Sequence, residues 1–203
     1  MKLLIKGDFN QTMSLGAQDL AHKMWTDKIN GQDISISGNQ WNEPVELDYN
    51  QLSLAHARWK DDERYKTSEI IKLHKKLLDQ QPITAEFEDD YITDFPSKRE
   101  ILVILTDYKE ILIVDKRAVY IMALEVARVT DGQISEDDKA SWLTPDEFEK
   151  NHQDILSLTY EDANDLSLEE IKNIEVIDEP YWEEEEKRKE EHQRWMDENT
   201  FGF

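Results

Sequence analysis

Two acidic triplets, Glu88-Asp89-Asp90 and Glu136-Asp137-Asp138, hold the side chains of this sequence best suited to metal chemistry. Hard cations such as Mg²⁺ and Ca²⁺ take carboxylate oxygens, so either triplet offers the right atoms. Neither has the spacing of a calcium loop, and turn formation alone accounts for the Asp residues of the second. The histidines His22, His56, His74, His152 and His192 are scattered, with no two at ligand spacing on one helix face. A Gly-rich phosphate loop, a His-Glu-x-x-His pair and a Gly-x-Ser-x-Gly elbow are all missing, and Cys is absent. The residues therefore predict no catalytic group, no metal and no cofactor. A divalent-metal-dependent enzyme built on one of the triplets stands as an alternative.

Charge is the stronger signal. The chain carries a formal net charge of −22 with 34% charged residues. Residues 131–203 hold 24 acidic and 7 basic side chains, a net of −17. Phosphate backbones and anionic bilayers are bound by Lys and Arg, so this balance argues against direct nucleic-acid or membrane binding and for a partner with a basic surface. No apolar run approaches the roughly 18 residues of a spanning helix, and the N-terminal Met1–Lys6 segment is too short for a signal peptide. Without Cys, the sequence reads as a cytoplasmic protein.

These side chains need elements to position them. Lys2–Lys6 reads as a strand. Ser14 is placed to cap a helix in which Ala17, Leu20, Ala21, Met24, Trp25 and Ile29 form one apolar stripe. Ile34–Ile36, Val45–Leu47 and Leu52–Leu54 read as further strands, giving a β-α-β-β unit over residues 1–60. A helix over 61–81 with Lys66, Lys72, Lys75 and Lys76 is stopped by Pro82, and Glu86–Asp94 reads as an acidic connection up to a boundary near Pro96. The segment 98–160 is expected to be the α+β core unit. Ile101–Leu105 and Ile111–Val114 read as its strands, Asp115 as the cap of a helix ended by Gly132, and 133–143 as a hairpin. Thr144-Pro145-Asp146-Glu147 combines a Thr cap, a Pro in the first turn and a Glu three residues on, which marks a helix start, with Phe148, Ile155 and Leu156 as its buried side. Ser167-Leu168-Glu169-Glu170 repeats that signature, and residues 161–203 form an acidic helical C-terminal region. The fold class expected is α+β.

Within the tail, Glu183–Lys187, Glu184–Arg188, Glu185–Lys189 and Glu190–Arg194 are spaced to pair along a helix, so that run largely satisfies its own charge. The acids between Asp131 and Glu179, 16 against 3 Lys, are the better candidates for a partner surface. They include Asp137, Asp138, Asp146, Glu147, Glu149, Asp154, Glu161, Asp162, Asp165, Glu169 and Glu170. Interface hot spots are rich in Trp and Tyr, so Trp142, Phe148, Tyr160, Tyr181 and Trp182 are the candidate aromatic anchors among them.

An acidic chain without Cys, with small β-α-β-β units and no catalytic motif, resembles the inhibitor proteins carried by bacteriophages and mobile elements, the anti-CRISPR and anti-restriction proteins, several of which mimic DNA. The N-terminal unit from Lys2 to Leu54 is similar to small modules common in phage-encoded proteins. The resemblance implies a non-enzymatic protein that occupies the basic cleft of a nucleic-acid-handling complex in the host cytoplasm. The alternative is an adaptor or assembly protein that binds through apolar surface and is acidic only for solubility.

Overall fold

The computed structural model describes residues 1–9, 16–25, 34–37, 52–56, 82–87, 101–107, 111–171, 173 and 194 of the 203. Its elements in chain order are β1 (Lys2–Lys6), α1 (Ala17–Trp25), β2 (Ile34–Ser37), β3 (Leu52–His56), β4 (Ile83–Phe87), β5 (Ile101–Thr106), α2 (Ile113–Val129), β6 (Gln133–Ser135), α3 (Pro145–Asn151), α4 (Gln153–Leu156) and α5 (Tyr160–Ile171). This is an α+β protein. The anticipated Ser14 cap, Ile29, the strand at 45–47, the 61–81 helix and the boundary near Pro96 lie outside the described residues. So does the acidic tail from Tyr181, apart from Arg194, which is helical.

The six strands form one antiparallel sheet in the order β2-β3-β4-β5-β1-β6. The first strand of the chain is thus inserted between β5 and β6. Described strands from residues 1–60 and from 98–160 lie in one sheet and contribute to one core. The register puts Leu3 opposite Ile104 and Ile5 opposite Leu102, Ile104 and Leu102 opposite Ala85 and Phe87, and Ala85 opposite Leu52. Because side chains alternate across a strand, Leu3, Ile5, Leu102, Ile104, Ala85, Leu52 and Leu54 share the face that meets the helices. Leu4 and Val103, on the opposite face, are buried as well.

The helix α2 is the centre of the molecule. It packs against α1, α5, β1 and β5, and most of its own side chains are buried: Val114, Ala118, Val119, Tyr120, Met122, Ala123, Leu124, Val126 and Ala127. Most of its surface is apolar and buried, with Arg117, Glu125 and Arg128 along one less buried strip, and its three buried alanines let its neighbours come close. Leu20, Met24 and Trp25 of α1 are fully buried in the same cluster, each burial favouring folding by about 1.5–3 kcal/mol for side chains of this size.

The start of α2 departs from the sequence reading. Ile113 and Val114, anticipated in a strand, form its first turn, and Asp115, anticipated as its cap, lies inside the helix with 1% exposure. A short β-branched run does not by itself distinguish a buried strand from a buried helix, and here packing within the core and the caps from Ser167 and Glu170 accompany the helix. The end is also instructive. Asp131 takes the left-handed conformation at φ 48°, and the Gly132 N–H donates to the Ala127 carbonyl at 2.8 Å, which closes a Schellman turn. Gly132 is required for space rather than for φ: a Cβ there would sit 2.7 Å from the Lys6 carbonyl oxygen.

Strand β4 corrects the other central reading. Ile83–Phe87 pairs with both β3 and β5, so Glu86 and Phe87, anticipated in an acidic connection, belong to the sheet. Beyond α2, β6 is followed by a single bridge, Ile134 to Leu143, where a hairpin was expected. Among the described residues, no helix is long and apolar enough to cross a membrane.

Candidate partner-binding surface

The acidic segment is laid over α2 as three short helices. At the start of α3 the Thr144 hydroxyl accepts the Glu147 N–H at 3.3 Å, and Glu147 Oε2 accepts from the Thr144 N–H at 2.9 Å. The Thr144 N–H, and the Thr144 hydroxyl donating to the same Oε2 at 2.8 Å, hold the Glu147 carboxyl below its ordinary value. Phe148 points inward and is 0% exposed, with its ring edge-on to Tyr120 at 5.1 Å. Ile155 and Leu156 of α4 pack against the same core. At the start of α5, Thr159 and Asp162 form a similar reciprocal pair, with the Asp162 N–H donating to Thr159 Oγ1 at 3.1 Å and the hydroxyl donating to Asp162 Oδ2 at 2.7 Å.

The second capping signature works differently from its sequence expectation. Ser167 does not start a helix; α5 runs through it from Tyr160 to Ile171. Its hydroxyl accepts the Val114 N–H, and Glu170 Oε2 accepts the Ile113 N–H, both at 2.9 Å. The chemistry of a cap is present but it serves α2, whose own flanking residue, Leu112, has no side chain to offer.

The anticipated acidic site residues therefore divide into groups. Asp137 accepts from the Ser135 hydroxyl at 2.8 Å and from the Ser141 N–H and hydroxyl at 2.8 and 2.5 Å. The Ser141 and Ser135 bonds hold its carboxyl at about 2. Asp138 lies 3.6 Å from Lys2, and Glu149 lies 2.6 Å from Arg128. Glu170 is half-buried, and burial pushes its carboxyl up. The segment is thus less unpaired than its composition implies. Asp146, Asp154, Glu161, Asp162, Asp165 and Glu169 are exposed. On α5, Glu161, Asp162, Asp165 and Glu169 lie on the side away from the buried Ala163, Asn164, Ser167, Leu168 and Ile171, one helical turn after another.

The aromatic candidates are mostly not available as anchors. Phe148 is part of the core, which removes it from any surface. Tyr160 is partly buried with its ring 5.7 Å from that of His56, and Trp142 is partly buried beneath Lys6 Nζ at 4.5 Å. Tyr181 and Trp182 lie outside the described residues. The exposed large apolar side chain among the described residues is Leu166, at 43%, amid the acids of α5. A search for aromatic residues passes over it; the signal that finds it is helical spacing, since 166 falls one turn from both Asp162 and Glu169.

The triplet Glu136-Asp137-Asp138 does not converge. Glu136 Oε1 accepts from the Tyr120 hydroxyl at 3.2 Å and its Oε2 lies 2.7 Å from His152 Nε2, while Asp137 turns to serines and Asp138 toward Lys2. Burial and the Glu136 carboxylate push the Tyr120 hydroxyl well above its usual range. Glu136 ties the turn after β6 to α2 and to the corner between α3 and α4, Asp137 closes the turn on itself, and Asp138 faces Lys2 of β1. No group of three acidic or histidine side chains suited to a metal occurs among the described residues, and Glu88-Asp89-Asp90 lies outside them. No family model matches the chain, and neither a curated protein nor a solved structure matches it.

Proposed function

We propose that this chain is a non-enzymatic acidic binding protein that inhibits a nucleic-acid-handling complex by presenting carboxylates to its basic surface. The observation that carries the reading is the outer side of α5, where Glu161, Asp162, Asp165 and Glu169 are exposed while the inner side fills the core. A helix rises about 1.5 Å per residue, so such carboxylates stand one turn, about 5–6 Å, apart. That scale is comparable to the roughly 3.4 Å axial spacing of phosphates along a DNA strand. A rigid helix face of this kind is suited to pair with Lys and Arg and to steer the encounter through its long-range field. The resemblance to anti-CRISPR and anti-restriction inhibitors points the same way.

Binding to purified CRISPR nucleases and restriction complexes, measured across a salt series, tests the reading. Affinity is expected to fall steeply as salt rises and to weaken in the combined Glu161→Gln, Asp165→Asn, Glu169→Gln variant. Binding indifferent to both changes would overturn it. The exposed Leu166 favours one second reading, an adaptor held by apolar contact. In that case Leu166→Ala abolishes binding and the charge variant leaves it intact.

A further inference from the structure

We draw no further inference here: the strongest candidate, the exposed side of α5 with Leu166 set among Glu161, Asp162, Asp165 and Glu169, belongs to the surface already proposed for partner binding, and nothing in the structure shows what covers it.

Discussion

Ser167 Oγ accepts a hydrogen bond from the backbone N–H of Val114 at 2.9 Å, across 53 residues of chain, and donates to the Ala163 carbonyl of its own helix at 2.8 Å. With Glu170 on the neighbouring Ile113 N–H, this makes α5 the cap of α2. The acidic helix is thereby fixed to the centre of the core through polar contacts as well as through Leu168 and Ile171.

Replacing Ser167 by Ala leaves the buried Val114 N–H without its acceptor. The loss of a cap costs about 0.5–2 kcal/mol, and a buried unsatisfied donor falls in the range of roughly 1–3 kcal/mol. Urea denaturation of Ser167→Ala is expected to show a loss of about 1–2 kcal/mol on these principles, whereas Ser157→Ala, at an exposed position, leaves the midpoint unchanged.

Glu170 makes stability depend on pH. Its carboxyl is raised first by burial and further by Asp115, against the lowering pull of the Ile113 N–H and Lys116. The folded state therefore holds this proton more tightly than the unfolded chain does. The contribution is fully present below the unfolded value, about 4.3 for Glu, and is lost as pH rises through the raised folded value. Glu170→Gln keeps an oxygen for the Ile113 N–H and has no proton to lose, so its urea midpoint should decline less than the parent's over that interval. Equal slopes would refute the assignment.

Asp137 has the opposite sign. The Ser141 and Ser135 bonds favour its charged form, so the stabilisation is present above the unfolded value of about 3.9 and is lost as pH falls toward about 2. In Ser141→Ala, a carboxyl titration followed by NMR should move back toward the ordinary aspartate range. An unmoved titration would show that the Ser141 hydroxyl has no part in the shift.

Phe148 and Leu166 should separate core from surface. Phe148 is 0% exposed and Leu166 is 43% exposed. Truncating a buried Phe to Ala costs about 3–5 kcal/mol, while a substitution at an exposed position usually stays within about 0.5 kcal/mol. Thermal denaturation of Phe148→Ala and Leu166→Ala is the direct comparison; a marginal effect of Phe148→Ala would place that ring outside the core.

Several elements were legible because their signals are local. Lys2–Lys6 and Ile101–Leu105 are strands where short apolar runs put them, the stripe from Ala17 to Trp25 is helical where its spacing puts it, and the Thr144 box forms as its residue order implies. Strand β4 was not legible, because Ile83–Phe87 runs into an acidic stretch and is made a strand by pairing on both sides. Nor was the first turn of α2, where Ile113 and Val114 carry strand propensity and the surrounding core overrides it.

The candidate surface divides in the same way. Composition alone locates the negative charge in the last third of the chain, because net charge is a property of residue counts and survives any folding. It does not tell which carboxylates face outward. Glu161, Asp162, Asp165 and Glu169 stay exposed, Glu170 is drawn in to cap a helix 57 residues away, and Phe148 goes to the core while Leu166 is left outside. Those assignments depend on which backbone N–H groups and which apolar faces the fold brings together, and contacts between residues distant in the chain exist only once the tertiary structure has formed.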